Sequence, residues 1–515
     1  MAVYQYIIKI SCTLVTMSFF SCANMINPTG GPKDTTSPYL ISSNPSINST
    51  NVSTREIILT FNEFIDLKNI QNEFIISPGN INADIKKDGK KLKISLNEKP
   101  AENTTYILNF GNSIMDYTEN NIAKDFKFIF SSGSNIDSLS ISGNLLDAYK
   151  LEPVKDALVC LYINPENDSV VYKRKPDYTV RSNDLGVFKF TNLKDNNYKL
   201  FALLEENNNK LFDSENEQIA FIDTIIKLKK NIQLSDLKMF KEIPNKKKLI
   251  NKSITNQKIE LNYNKANNTK IKPIDNTIDT IVYSNNSDSI SIYFTKRLDS
   301  TQVITYDGNK MDTLNIKFPK NLKKKDFNIV IDNKIYGQNV IINSSDFFKL
   351  NNKDSVILYE DSQKVNYILK RNNYNSYLLN YPFVIDKKYE LYIGDSSFIS
   401  YDYLKNKRLK SNLNFRKIDE YGSININLSE VNNIIYELIN EKNETVRRTK
   451  NASSPINYSM LIPGTYKLRL IYDDNNNGIW DTGHYLKKIQ AEKVSYYINP
   501  IKVRANWDLE INLIP

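Results

Sequence analysis

The sequence predicts an all-β protein: tandem antiparallel β-sandwiches strung into a multidomain, elongated chain. Three observations carry that expectation. Apolar and polar residues alternate in "KLKISLN" (91–97), "FKFIF" (126–130), "SISIYF" (289–294), "TLNIKF" (313–318) and "SININLS" (423–429). In a strand, that period lines one face with apolar side chains and leaves Lys, Ser and Asn to water. Clusters of Asn, Asp and Ser punctuate these runs at the short spacing of sandwich strands. Long helical periodicity is missing, and the best helical candidate, "SDLKMFKEI" (235–243), is short.

A chain of 515 residues exceeds one hydrophobic core, and 32 tyrosines with 23 phenylalanines can fill several small ones. The net charge of +10 comes from 68 basic against 58 acidic residues, which makes mixed-sign surfaces. Lys246–Lys248 and Lys323–Lys325 sit in polar connectors without interleaved arginine and aromatic residues, so they are expected to be solvated. Nucleic acid is not an expected partner.

Residues 1–21 pair a weakly basic start with the apolar "IIKISCTLVTMSFF" and end in a small residue before Cys22. This pattern reads as a lipoprotein signal with Cys22 as the lipidated residue, followed by a Pro/Gly-rich tether over 22–36. An ordinary secretory signal with an incidental Cys22 is the competing reading. Without residues 1–21 only Cys22 and Cys160 remain, so a disulfide framework is excluded, and Cys160 in "ALVCLYI" alternates like a buried strand residue. The lipid would be the membrane contact.

The body of the chain contains a repeat. "NLKDNNYKLFALLEENNNKLFD" (192–213) and "LIPGTYKLRLIYDDNNNGIWD" (461–481) share Tyr-Lys-Leu, an acid- and Asn-rich turn, and a closing Phe-Asp or Trp-Asp. Each ends a stretch of sandwich length. The expected layout is a sandwich over 37–133, a repeat-type sandwich over 134–242 and a linker over 243–270. A β region of uncertain type follows over 271–337, then a sandwich over 338–416 and a second repeat-type sandwich over 417–515.

The opening stretch contains Gly30-Gly31-Pro32-Lys33-Asp34 and Phe61-Asn62-Glu63. It resembles a Bacteroidetes-type outer-membrane lipoprotein that begins with a bacterial Ig-like domain of the S-layer kind. "DDNNNGIWDTGHYLKKIQAEKVSYY" and "VRANWDLE" (503–510) are similar to that family's closing domain, and "SNDLGVFKFTNL" (182–193) resembles transthyretin-like or carboxypeptidase-regulatory-like modules. The resemblance implies Ig-like sandwiches over 37–133 and 338–416, transthyretin-like sandwiches over 134–242 and 417–515, and an outer-membrane address. "ANMIN" after Cys22 carries no acidic export tag, so either face of that membrane fits.

The acidic turn allows two readings. Counting Asp473 as position one, Asn475, Asn477, Ile479 (through its carbonyl) and Asp481 fall at positions three, five, seven and nine of a calcium loop, with Gly478 at six. His484 occupies position twelve, where a bidentate glutamate usually closes the shell, so a calcium ion there would be held weakly, at roughly 0.1–1 mM. The other reading is an Asn-Gly hairpin turn. The earlier copy keeps Glu205, Asn207, Asn209 and Asp213 at the same spacing but has Lys210 in place of the glycine, which makes it the weaker site.

Catalytic patterns are thin. A single histidine excludes a two-histidine zinc motif, no two carboxylates stand out as a hydrolytic pair, and "PTGGPKD" lacks phosphate-loop spacing. The expected function is non-enzymatic: a lipid-anchored scaffold or binding protein. The alternative is an accessory subunit of an outer-membrane assembly, export or uptake machine, bound to a β-barrel protein partner.

Overall fold

The computed structural model describes residues 33–513, except 80, 166, 245, 256–257, 266–269, 275–279, 287, 295–297, 308–309, 320–325, 333–338, 386, 402, 430–432 and 451–452. The expectations for the signal 1–21, for Cys22 and for Lys323–Lys325 fall outside the described residues. The protein is nearly all-β, with 52% of the described residues in strands and 3% helical. Among the described residues no helix is long and apolar enough to cross a membrane.

The chain divides into two compact units, one of residues 1–140 with 176–179 and 190–195, the other comprising the rest. In the first, a four-stranded sheet runs in the order Leu40–Asn44, Glu56–Phe61, Lys91–Leu96, Ala83–Asp88. It shares a core with a three-stranded sheet of Ile75–Ser77, Thr105–Gly111 and Phe126–Ser131. The alternation explains the packing. Ile57, Leu59 and Phe61 point inward opposite the buried Leu92, Ile94 and Leu96, while the intervening lysines stay exposed. Each such side chain contributes about 1.5–3 kcal/mol on burial, an upper bound because the unfolded chain is partly collapsed.

The second unit contains four sandwich-type modules. In the repeat-type module after residue 140, Asn196–Leu204 pairs antiparallel with both Leu158–Ile163 and Gln218–Phe221. Cys160 is buried on Leu158–Ile163. The opening strand Leu139–Asp147 is closed by Leu237–Lys241 running parallel to it, with Leu145 beside Leu237. The last module repeats this plan: Gly464–Tyr472 pairs antiparallel with Ile434–Ile439, and Gly422–Leu428 is closed by the parallel Asp508–Leu513.

Several expectations are corrected. The helical candidate at 235–243 is the closing strand Leu237–Lys241, because Leu237, Met239 and Phe240 bury against the sheet. The stretch 243–270, read as a linker, holds the strands Leu249–Thr255 and Lys258–Tyr263 and the first residue of Lys270–Pro273. They join Thr280–Asn286, Ser289–Phe294, Ser300–Asp307 and Lys310–Lys317 in a small two-sheet module around Ile259, Leu261, Ile292, Phe294 and Val303. Its buried stripe narrows to two residues on Lys258–Tyr263 and one on Lys270–Pro273, where Lys and Asn on the outer positions hide the period. The following module begins before residue 338, since Phe327 and Val330–Asp332 belong to it. Its Phe347 ring stacks on Tyr293 of the preceding module at 3.9 Å. The connector lysines do more than solvate: Lys248 pairs with Glu215 at 2.6 Å, and Lys247 lies over the Tyr263 ring.

Candidate functional site

The turn at 473–481 leaves the sheet at the end of Gly464–Tyr472, so its first carboxylate is buried while the tip is exposed. Asp473 accepts from the backbone N–H of Asn477 at 3.0 Å and of Gly478 at 2.7 Å. Asn475 Oδ1 accepts from the N–H of Asn477, and Asn477 Oδ1 from that of Ile479. These Asx bonds wind the loop so that alternate residues face one centre. Asn476 and Gly478 take left-handed φ of 57° and 81°, a region that favours asparagine and glycine. Asp481 Oδ2 accepts from the side-chain amides of both Asn475 (2.5 Å) and Asn477 (2.6 Å).

His484 takes no part in this loop; its Nδ1 faces Glu242 Oε1 at 3.5 Å. The carboxylate that ties the two ends of the loop together is that of Glu492, which sequence spacing did not reveal. Its two oxygens accept from the N–H groups of Asp474 (3.0 Å) and Asp481 (2.9 Å), and its own carbonyl accepts from Trp480 Nε1. Burial, with the nearby Asp481 and Asp473 carboxylates, raises the Glu492 pKa despite those backbone donors.

The earlier copy has the same skeleton. Lys210 N–H donates to Glu205, that of Asn209 to Asn207 and that of Leu211 to Asn209, and both asparagine amides donate to Asp213. Lys210 stands at the glycine position with φ of 64°. Glu217, 1% exposed, accepts from the N–H groups of Asp213 and Ser214, as Glu492 does from its loop. Each glutamate stands just before a strand that pairs back on the long repeat strand, Gln218–Phe221 or Val494–Tyr496. Extending the repeat past residue 481 would have exposed that pair. Burial raises the Glu205 pKa and lowers that of Lys210.

Among the described residues, no three His, Cys, Asp or Glu side chains gather as a metal-holding group. The 473–481 loop itself carries two carboxylates, Asp473 and Asp481, with the amide oxygens of Asn475 and Asn477 and the Ile479 carbonyl, oxygen donors of the kind a hard cation takes, while both Glu492 oxygens are held by backbone N–H groups beside it. The two amides now turn their N–H groups on Asp481, so receiving a cation requires them to turn their oxygens inward.

The segment between Trp480 and Glu492 forms an arm that docks on the earlier repeat-type module. Tyr485, 1% exposed, inserts among Tyr172, Phe201 and Phe221, with ring centroids 5.0–6.1 Å away, and its hydroxyl donates to the Asp168 carbonyl at 2.5 Å. Thr482 Oγ1 donates to the Lys241 carbonyl, and Gln490 to that of Phe221. Gly483 passes so close that a Cβ there would meet the Phe240 ring at 2.4 Å. Beside the arm, Arg469 pairs with Glu437 at 3.0 Å and lies 4.3 Å over the Tyr149 ring, whose hydroxyl also donates to Glu437. Trp480 packs on the same Tyr149 at 5.1 Å.

Residues 34–132 match the family model described as a bacterial Ig-like domain. No curated protein matches the chain. Among solved structures, the S-layer protein rSbsC(31-844) aligns at 8% identity over 74% of this chain and 67% of that one, with a TM-score of 0.16. The Bacillus anthracis TIE protein aligns at 11% identity over 94% and 75%, at 0.14. BcpA, the major pilin subunit of Bacillus cereus, aligns at 8% identity over 73% and 99%, at 0.15. The family match places the first sandwich, by sequence as well as by its two packed sheets, alongside the bacterial Ig-like domains.

Proposed function

We propose that the protein is a lipid-anchored, non-enzymatic scaffold or binding protein of the outer membrane, tethered through an acyl group on Cys22. The observation that supports this most is the docking of the two repeat-type modules. Tyr149 of the earlier module, bonded to Glu437 and lying under Arg469 of the last one, and the inserted Tyr485 join one module to the other, which is how a scaffold fixes the surfaces it presents. The modules are expected to offer sheet faces and loops to a protein of the cell envelope.

The test is affinity purification from detergent-solubilised membranes, with mass spectrometry of the N-terminal peptide. A diacylglyceryl mass on Cys22 and a monomeric protein support the reading. A β-barrel protein recovered in stoichiometric amount makes the chain an accessory subunit of an assembly, export or uptake complex. An unmodified Cys22, or a chain ending elsewhere, overturns the anchor.

Calcium belongs to the same reading as a brace. Bound at Asp473, Asn475, Asn477, Ile479 and Asp481 and closed by Glu492, it would tie the base of the docking arm, since Glu492 ends the arm and Asp481 begins it. The loop at Glu205, Asn207, Asn209 and Asp213 is the weaker candidate, with Lys210 in place of the glycine.

A further inference from the structure

Among the described residues of the first unit, the exposed aromatic rings are Tyr39, Phe64 and Tyr117, at 59%, 61% and 67% exposure. All three gather at one end of the sandwich. Tyr117 N–H donates to the Phe64 carbonyl, Asn62 N–H to the Tyr39 carbonyl, and Ile65 N–H to the carbonyl of Gly89 in the adjacent turn. That turn brings two lysines: Lys90 Nζ stands 5.8 Å over the Phe64 ring, and Lys87 Nζ 5.8 Å over that of Tyr117. Gly89 has φ of 59°, and the ideal Cβ position there lies 3.3 Å from the Phe64 ring, so the turn packs directly beneath it. The N-terminal tether reaches this same end, where the Asn121 side-chain amide donates to the Asp34 carbonyl at 2.9 Å and Tyr39 N–H to Asn62 Oδ1 at 2.8 Å.

We propose that this aromatic rim lies in the headgroup layer of the bilayer that holds the lipid anchor. The proposal rests on the anchor at Cys22 and goes beyond it. The tether from Cys22 to Asp34 is about twelve residues, with a contour limit of roughly 40 Å. An acylated Cys22 therefore keeps the rim within touching distance of the membrane at high effective concentration, so weak contacts suffice. Tyrosine and phenylalanine rings with lysine ammonium groups beside them suit that layer, the rings meeting the acyl boundary and the ammonium groups the phosphates. Lys87 is already paired with Asp66 at 2.6 Å, and Glu63 and Glu119 flank the rim, so the rings and the tether supply the attraction more than net charge does. The rim would fix the angle at which the first sandwich leaves the membrane.

The test supplies its own anchor. The mature chain with Cys22→Ser and an N-terminal histidine tag is held on phosphatidylethanolamine/phosphatidylglycerol vesicles doped with a nickel-chelating lipid. A polarity-sensitive fluorophore is attached through Tyr117→Cys, or through Glu98→Cys at the opposite end of the sandwich as control; Cys160 is buried and does not compete. The expected result is a blue shift and quenching by lipid-borne nitroxide at 117 and neither at 98, with the quenching at 117 at least halved by Phe64→Ser. Equal, water-like signals at 117 and 98 overturn the proposal. So does shielding at 117 that appears without vesicles or only with added envelope protein, which would assign the rim to a protein partner. Since the tag replaces the acyl chain, an unmodified Cys22 in the native protein would defeat the anchor reading without affecting this result.

Discussion

Glu492 stands eleven residues beyond Asp481, yet it takes the place in space that His484 holds in the count along the loop. The turn spacing up to Asp481 was legible because asparagines in the loop bond backbone groups two positions on. The closing carboxylate was not, because it arrives from the far side of the arm. If the loop binds calcium with a dissociation constant of about 1 mM, 10 mM calcium should stabilise the wild type by about 1.4 kcal/mol. For a module of this size that is a rise in melting temperature of roughly 5–10 °C, read by calorimetry with EDTA as reference. Glu492→Gln should abolish most of the rise, and an undiminished shift in that variant would exclude Glu492 from the site. The same carboxyl sets a pH dependence. Its native pKa lies above its ordinary value of 4.5, so between the two the folded protein keeps a proton that the unfolded chain has lost. Without calcium, the stability of wild type relative to Glu492→Gln should be greatest below pH 4.5 and fall as pH rises through the native value. Calcium, which favours the charged form, should flatten that fall.

The arm from Trp480 to Glu492 is the element least visible in the sequence. Tyr485 and Asp168 lie 317 residues apart, and no local period announces that a tyrosine in a polar loop will enter another module's core. Strands were legible wherever two or three large residues shared a face, as at Ile57, Leu59 and Phe61, and illegible where lysine and asparagine flanked a narrow stripe, as at Ile259 and Leu261. Tyr485→Ala should cost about 3–5 kcal/mol of docking through the lost ring contacts, whereas Tyr485→Phe should cost only about 0.5–1.5 kcal/mol for the lost hydrogen bond. Hydrogen exchange of 480–492 measures both. Fast exchange in the alanine variant with native-like protection in Gly464–Tyr472 would mean the arm has detached while its sheet stays folded. Equal exchange in all three proteins would show that the ring does not hold the arm.

At the scale of the molecule, the second and last modules are partners in space although two other modules separate them in the chain. Cutting the chain at an inserted protease site near residue 416 should therefore leave 417–515 bound to the remainder. Gel filtration checks this: co-elution is expected, and separation would show that the docking depends on the covalent link. Residue alternation could announce the number of sandwiches but not this pairing, because the contacts are made by loop residues. The parallel closure of the second module has a mechanical meaning. Its opening strand Leu139–Asp147 and closing strand Leu237–Lys241 point the same way, so tension passing along the polypeptide tugs them in opposite directions lengthwise. Their ladder bonds then share the load and must slip together instead of peeling off singly. Rupture under force is set by the unfolding rate, and such a lengthwise clasp slows it.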